Sequence, residues 1–283
     1  MPPVYKKISP IKIFDGLDPI DFTEFGLNAN YQPNIVPNDL GDEIFNFMNS
    51  ADSPLKDHTY IGNFNRVITP ARKVHASVPD RSFYRFKGKD IVPIISEPYN
   101  KIVSDLKTKF LPTEFHSNSS ISNLYRYNGK DCIAPHTDDE KFLGIGNFSN
   151  YPGISTVATF TFLSNVDQPM IYLVGDPKTG KGYGIKLRHG SLIYQGNVLH
   201  EVPSIYSNDR EAGRLSITLR QLDESCPCKK ISCPWTAGPS NYLYYTGSYR
   251  LKSNINDLHP TTVIRPNPVI IKKAIPTIKR KPV

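Results

Sequence analysis

Residues 214–220 constrain the fold most strongly, because their polar and apolar side chains alternate without a break. The segment reads Arg-Leu-Ser-Ile-Thr-Leu-Arg. Successive side chains of a β-strand point to opposite faces, so this period of two predicts a strand with Leu215, Ile217 and Leu219 on one face. The other face carries an arginine at each end. Because a buried guanidinium needs an anionic partner, we expect this face to line a cavity that accepts a negatively charged group.

Short segments with strand-like composition follow one another from residue 122 to residue 222. Turn signals separate several of them, at Asn128-Gly129, at residues 177–180 and at Gly190. The predicted strands are residues 122–127, 155–163, 170–174, 182–187, 191–195 and 214–222. Many short strands at this spacing predict a mainly β fold with flanking helices, built on a double-stranded β-helix, or jelly-roll, core.

Two amphipathic helices are predicted before these strands. The first follows Asn38 as its N-cap, with apolar residues at helical spacing: Leu40, Ile44, Phe47 and Met48. The second opens at Ser96-Glu97-Pro98 and ends before Pro112. Its apolar stripe consists of Tyr99, Ile102, Val103, Leu106 and Phe110. We expect both helices to pack one face against the sheet.

Three residues have the types and order of an iron(II) site. His136 and Asp138 are two residues apart, so on extended chain their side chains point the same way, and His200 lies far along the sequence. Two imidazoles and one carboxylate bind iron(II) on one side and leave other positions open. A His-x-Asp tripeptide alone is more typical of a surface turn or of a hydrogen-bonded core histidine. Its order with a later histidine and an arginine-bearing strand favours the metal site.

Residues 125–129 (Tyr-Arg-Tyr-Asn-Gly), residues 136–140 (His-Thr-Asp-Asp-Glu), His200 and residues 214–220 together resemble the AlkB family of iron(II)- and 2-oxoglutarate-dependent dioxygenases. The resemblance covers about the middle two thirds of the chain. It implies Fe(II) as cofactor, 2-oxoglutarate and O2 as cosubstrates, and alkylated DNA or RNA as the partner. The implied reaction is oxidative demethylation of an N-alkylated base, releasing formaldehyde, succinate and CO2.

The same resemblance implies roles for residues around the iron. Arg214 would form a salt bridge with the distal carboxylate of 2-oxoglutarate, and Tyr127 would donate its hydroxyl to that carboxylate. Arg220 resembles a second family arginine near the metal-proximal carboxylate, and a surface ion pair with the acidic neighbours of Asp138 or with Glu224 is the alternative. Ser216 and Tyr125 are also expected at the cosubstrate. Both stand where many relatives carry asparagine, so hydrogen bonds to the cosubstrate can differ here.

Substrate contacts are predicted on two segments. Residues 59–86 resemble the family's nucleotide-recognition lid, in which Tyr84 or Phe86 would stack on a base turned out of the duplex and Arg72 would contact the nucleic acid. Asp139 and Glu140 extend the His-x-Asp run and would contact the base. Surface hairpins that support the barrel and a solvated acidic turn are the simpler interpretations of these two segments.

Charge and composition suggest how the chain is divided. Its 283 residues carry a net charge of +8, and six lysines and arginines follow Asp257 without any acidic residue. We predict an N-terminal arm (1–30), a dioxygenase domain (31–225), a Cys/Tyr-rich extension (226–257) and a basic, Pro-rich, disordered tail (258–283). The tail is either a solvated segment or an arm that binds phosphates.

The remaining expectations concern metals, location and rival functions. Zinc could be held by Cys226, Cys228 and Cys233, but reduced thiols are the favoured interpretation because a fourth ligand is not evident.

The chain lacks a membrane-length apolar run and a secretory signal, so we expect an intracellular protein, in the cytoplasm or nucleus. We also expect it to be a monomer. The same iron chemistry could act on a protein side chain or a small molecule, and a non-catalytic binding module is a rival of another class.

Overall fold

A computed structural model describes residues 7–57, 72–77, 96–138, 157–168, 170–196, 198–209 and 212–221, together with the backbone of residues 60–61, 67–68, 84–86 and 89–91. Several predictions therefore lie outside the described residues: those on Asp139, Glu140, the three clustered cysteines and the basic tail. No helix in the described part of the chain is long and apolar enough to span a membrane.

The described residues form strands and two α-helices. In chain order the strands are β1 (Ser9–Phe14), β2 (Ile20–Asp21), β3 (Ala29–Gln32), β4 (Lys56–Asp57), β5 (Tyr60–Ile61), β6 (Val67–Ile68), β7 (Lys73–Ser77), β8 (Tyr84–Phe86), β9 (Lys89–Ile91), β10 (Ser119–Arg126), β11 (Ile133–His136), β12 (Val157–Leu163), β13 (Met170–Gly175), β14 (Lys181–Leu187), β15 (Ser191–Gln195), β16 (Leu199–Val202) and β17 (Gly213–Arg220). The helices are α1 (Asn38–Asn49) and α2 (Glu97–Phe110), and a 3-10 helix spans Phe22–Phe25.

Two sheets carry the fold, and the way the chain divides between them defines a jelly roll. The five-stranded sheet has the order β1-β14-β13-β16-β11, and the eight-stranded sheet has the order β2-β3-β15-β12-β17-β10-β7-β4. From β10 to β17 the chain passes back and forth between the two sheets, with β10, β12, β15 and β17 in one and β11, β13, β14 and β16 in the other. This is the topology of a double-stranded β-helix, so the predicted fold class is confirmed.

Apolar side chains form two core layers on opposite faces of the eight-stranded sheet. One layer joins the two sheets, and includes Tyr125, Tyr172, Leu173, Ile193 and Leu199. The other lies beneath the helices, and includes Ile44, Met48, Tyr99, Leu106, Phe160 and Ile217. The apolar face of β17 belongs entirely to this second layer, as its alternation predicted. Its polar face therefore points into the space between the sheets, where the predicted site lies.

Both predicted helices are present, with one correction at a cap. The prediction that Asn38 caps α1 was wrong: the cap position is Pro37, which makes no side-chain cap hydrogen bond, and Asn38 is the first helical residue. Pro37 has a ψ of 145°, so it is the last non-helical residue and Asn38 already belongs to the helix. In α2, Ser96 is the N-cap, and its hydroxyl accepts a hydrogen bond from the backbone N–H of Tyr99 (3.4 Å).

Several strands of the two main sheets fall where no strand was predicted. The segment up to residue 32 contributes β1, β2 and β3, of which β1 pairs in parallel with β14 and β3 pairs with β15. Two more are β11 and β16, each four residues long and each carrying one predicted metal ligand. Short strands have weak periodicity of their own, so their conformation depends on the partner strand.

Gly41 makes a close contact between α1 and the turn before β15. A Cβ atom at this position would lie 2.1 Å from Nε2 of His189, which is buried.

At position 41, two effects of an alanine oppose each other. Alanine ordinarily stabilises a helix relative to glycine by about 1 kcal/mol, but overpacking costs about 1–3 kcal/mol. We therefore expect Gly41→Ala to lower the free energy of unfolding, measured with urea. Asn46→Ala, on the exposed face of α1, is the matched control and should leave stability unchanged or slightly raised; a Gly41→Ala protein as stable as this control would contradict the expectation.

Candidate metal centre

The structure brings the three predicted metal ligands together at one end of the space between the sheets. His136 ends β11 and is paired with His200 of β16, while Asp138 follows two residues after β11. One ligand atom from each of the three side chains lies within 4.8 Å of the other two. The pairing of two strands that are far apart in sequence therefore produces the site.

Backbone contacts fix the tautomer of each histidine. Nδ1 of His136 lies 2.8 Å from the carbonyl oxygen of Ala134, and Nδ1 of His200 lies 3.2 Å from that of Val198. A carbonyl oxygen only accepts hydrogen bonds, so Nδ1 carries the proton in both rings and the lone pair is on Nε2. Contacts of this kind typically set the tautomer of metal-binding histidines.

The Nε2 atoms of the two histidines lie near different oxygens of the Asp138 carboxylate. Nε2 of His136 is 3.8 Å from Oδ1 of Asp138, and Nε2 of His200 is 3.8 Å from Oδ2. Metal–ligand bonds are about 2 Å long, and ligand atoms within 4.8 Å of one another could hold one ion. The donor set is the one that suits a non-haem iron(II) site.

Charges around Asp138 keep its carboxyl ionised despite burial. Burial raises the pKa of Asp138, but the charge of Arg220, and those of His200 and His136 when they are protonated, lower it, and the result is a pKa of about 2. Burial also lowers the pKa of His200, an effect that Asp138 partly opposes. At neutral pH the site therefore offers a carboxylate and a neutral imidazole, the forms that bind metal.

Arg214 is a buried cation whose charge is not neutralised by the described part of the protein. Its side chain is 1% exposed, and Nη2 donates to the Thr161 hydroxyl at 3.1 Å. The buried Nε atom has no hydrogen-bond partner, and no acidic side chain among the described residues forms an ion pair with Arg214. Its Cζ atom lies 5.5 Å from the ring of Tyr125 and 5.9 Å from that of Tyr172. A guanidinium in this environment fits a bound carboxylate.

The other residues predicted at the cosubstrate lie on the same inner face, with contacts of their own. Tyr125 is the ladder partner of Arg214, and Ser216 is buried beside it. The hydroxyl of Tyr127 donates to the backbone carbonyl of Gln168 at 3.1 Å, so the cosubstrate would have to compete for it. The predicted roles of Tyr125, Tyr127 and Ser216 stay predictions.

Arg220 contacts the metal ligand itself. Its Nη2 donates to Oδ1 of Asp138 at 3.0 Å, with the Arg220 side chain 11% exposed and that of Asp138 4% exposed. The sequence left Arg220 between a cosubstrate carboxylate and a surface ion pair with Glu224 or the acidic neighbours of Asp138, all of which lie outside the described residues. In the structure, Arg220 holds one oxygen of the carboxylate that would bind the metal.

Two residues of the site, Gln195 and Tyr172, were missed by the sequence reasoning. Gln195 donates from Nε2 to Oδ2 of Asp138 at 3.2 Å, and the Tyr172 hydroxyl donates to Oε1 of Gln195. Gln195 ends a predicted strand, but nothing nearby in sequence indicates a polar site. Its position follows from the ladder, in which Gln195 is opposite Val157 and Val157 is opposite Arg220.

Of the predicted substrate contacts, only Arg72 has a described side chain, and it is buried. Arg72 is 4% exposed, and it donates from Nε to Oδ1 of Asn123 (3.2 Å) and from Nη1 to the carbonyl of Cys132 (2.8 Å). This placement argues against Arg72 as a surface contact to phosphate. Tyr84 and Phe86 lie in β8, of which only the backbone is described.

Comparisons with known proteins give distant similarity in fold. No protein family model and no curated protein matches the chain. OsALKBH1 is 15% identical with a TM-score of 0.46, covering 69% of this chain and 98% of that one. A 2OG-Fe(II) oxygenase family oxidoreductase from Burkholderia pseudomallei is 12% identical (TM-score 0.44; 70% and 86% covered), and a Pseudomonas putida prolyl-4-hydroxylase is 14% identical (TM-score 0.42; 69% and 93% covered).

These similarities do not assign the chain to a family, so its function has to follow from the site. The site consists of two histidines whose Nε2 atoms carry lone pairs, an ionised carboxylate between them, and a buried arginine that lacks an anionic partner among the described residues. Together they make a candidate two-histidine, one-carboxylate metal centre beside a candidate carboxylate-binding pocket.

Proposed function

We propose that this protein is an Fe(II)- and 2-oxoglutarate-dependent oxygenase that removes alkyl groups from N-alkylated bases of DNA or RNA. The observation that carries the oxygenase assignment is the occurrence of two features in the same space between the two sheets. His136, Asp138 and His200 converge within 4.8 Å, and Arg214 is buried with an Nε that has no hydrogen-bond partner in the described part of the chain. A metal ion alone would account for the three converging ligands, and a bound anion alone would account for Arg214. A metal-bound dicarboxylic acid accounts for both at once.

The residues present fit the groups they would hold. His136, Asp138 and His200 would bind the iron, and the Arg214 guanidinium would bind the distal carboxylate of 2-oxoglutarate. Tyr172 contacts both the metal centre and the carboxylate-binding residue. Its ring lies 5.9 Å from Arg214 Cζ and is stacked on His200 with centroids 5.9 Å apart. When bound, iron(II), 2-oxoglutarate and O2 would supply the oxidation of a C–H bond next to nitrogen, with loss of formaldehyde.

The protein's own contribution is orientation and exclusion of water. Arg220 and Gln195 hold the two oxygens of Asp138, while backbone carbonyls hold the histidine rings. Burial of Arg214 and Asp138 keeps water from competing for either group. A preorganised site of this kind does not need to rearrange when its ligands arrive.

The choice of an alkylated base as substrate is supported by the sequence. Residues 125–129 and 136–140 resemble the AlkB family, and the basic residues after Asp257 could attract a phosphate backbone. Oxidation of a protein side chain or a small molecule by the same centre is the alternative. Both substrate classes need the same metal centre, so a product assay has to separate them.

The test is formaldehyde release from oligonucleotides containing 1-methyladenine, 3-methylcytosine or 6-methyladenine, with Fe(II) and 2-oxoglutarate present. We expect formaldehyde and succinate in equal amounts with at least one of them, and neither product above background with the matching unmethylated oligonucleotide. Succinate formed without formaldehyde on every oligonucleotide would reject demethylation of these bases and favour the alternative substrates. Absence of both products would count against the oxygenase assignment itself.

A further inference from the structure

We propose that Gln195 is a positioning residue for the metal centre, and that Tyr172 sets the orientation of its amide. This inference rests on the proposed metal centre and adds two residues to it. Gln195 is 2% exposed, and each end of its amide meets a polar partner. Its Oε1 accepts from the Tyr172 hydroxyl, and its Nε2 lies 3.2 Å from Oδ2 of Asp138.

The hydrogen bonds to Asp138 and Tyr172 together permit only one orientation of the amide. An ionised carboxylate only accepts hydrogen bonds, so the NH2 group of Gln195 has to face Asp138. The reversed amide would place Oε1 against the carboxylate, and two acceptors would then meet in a buried site, which is costly. The Tyr172 hydroxyl reinforces the choice because it donates to the amide oxygen.

The result is that both oxygens of Asp138 are held by different donors. Arg220 donates to Oδ1 at 3.0 Å and Gln195 donates to Oδ2 at 3.2 Å. With both hydrogen bonds in place, the carboxylate cannot rotate about its Cβ–Cγ bond without breaking one of them. Each carboxylate oxygen has two lone pairs, so a lone pair remains for the metal after the hydrogen bond is made.

Gln195 also contacts the second metal ligand. Its Nε2 lies 3.3 Å from Nδ1 and 3.4 Å from Nε2 of His200, while the ring of Tyr172 stacks on that imidazole with planes 22° apart. The pair Gln195–Tyr172 therefore borders two of the three ligands. Loss of such supporting contacts typically weakens metal affinity by about 10- to 100-fold.

The experiment measures Co(II) binding to the full-length protein by its visible absorption, without any substrate. Gln195→Met keeps the length of the side chain but cannot donate, so we expect the Kd for Co(II) to rise about 10- to 100-fold and the absorption bands at saturation to shift. Tyr172→Phe loses one neutral hydrogen bond and should raise the Kd about two- to tenfold. Because Tyr172 acts through Gln195, the double variant should bind no more weakly than Gln195→Met alone.

The matched control is Thr159→Val. It breaks a buried hydroxyl–hydroxyl hydrogen bond between Thr159 and Thr218 (3.1 Å) on the same inner face, two residue pairs from Gln195 along the ladder. It should leave the Kd and the spectrum of the Co(II) complex unchanged. If Gln195→Met does not fold, as judged by circular dichroism, Tyr172→Phe carries the test.

The outcomes separate this inference from the proposed function. If the wild-type protein binds Co(II) and both variants match its Kd and spectrum, the role of Gln195 is rejected and the metal centre stands. An equal loss of affinity in Thr159→Val would also reject it, because a general loosening of the wall would then explain the effect. If the wild-type protein shows no saturable binding, the metal centre and this inference are rejected together.

Discussion

Replacing Asp138 by alanine is expected to reduce 2-oxoglutarate turnover to background and to abolish tight metal binding. Asp138 supplies the only anionic ligand among the three converging side chains, and both of its oxygens lie 3.8 Å from a histidine Nε2. Without it, two neutral imidazoles would have to hold a divalent cation next to the positive charge of Arg220. Succinate formation and Co(II) titration are the two measurements.

The Asp138→Ala variant should also be less stable, and its loss of activity has to be distinguished from unfolding. Removing one partner of a buried ion pair costs about 3–5 kcal/mol, because the other charge is left uncompensated. Since Arg220 keeps partial access to solvent, we expect a smaller cost here. Asp105→Ala, which breaks an exposed ion pair with Lys101 on α2, is the control and should retain turnover. Turnover by a folded Asp138→Ala protein within tenfold of wild type would eliminate the iron assignment.

Replacing Arg214 by methionine is expected to weaken 2-oxoglutarate binding strongly while leaving the metal centre intact. Truncating one partner of a buried, hydrogen-bonded charge pair costs about 2–5 kcal/mol, which corresponds to an increase of about 30- to 4,000-fold in Kd. The KM for 2-oxoglutarate should rise accordingly, whereas the affinity for Co(II) in the absence of cosubstrate should stay close to wild type.

The same substitution should not destabilise the ligand-free protein. Burial lowers the pKa of Arg214, because desolvation of a guanidinium opposes its charge. An apolar side chain of similar length removes that desolvation cost, so the free energy of unfolding should be unchanged or higher. A structural arginine would show the opposite, with lower stability and an unchanged KM. Arg126→Met, at an exposed position of the neighbouring strand β10, is the control and should alter neither quantity.

Much of the site chemistry could be predicted from the sequence because it depends on residues close together in the chain. The alternation of β17 predicted which side chains face the helices and which face the site, and the structure confirms both. His136 and Asp138 were predicted together because two residues of extended chain place their side chains on one side. The start of α2 could also be predicted from neighbouring residues, because Ser96 caps the helix that immediately follows it.

The contacts that the sequence did not predict all join segments far apart in the chain. Arg220 was expected near a carboxylate, but its partner proved to be Asp138, 82 residues away. Gln195 reached the site through the register of three neighbouring strands, and β11 and β16 became strands because they pair with each other and so bring His136 opposite His200.

The sequence by itself therefore determined the two-residue period of the arginine strand, the types of the metal ligands and the mainly β character of the chain. Only the tertiary structure decided which donor holds each oxygen of Asp138 and which buried cation has no anionic partner among the described residues. The physical reason is that periodicity is set by neighbouring residues, whereas strand register depends on the packing of whole sheets, and a shift of one residue reverses every side chain.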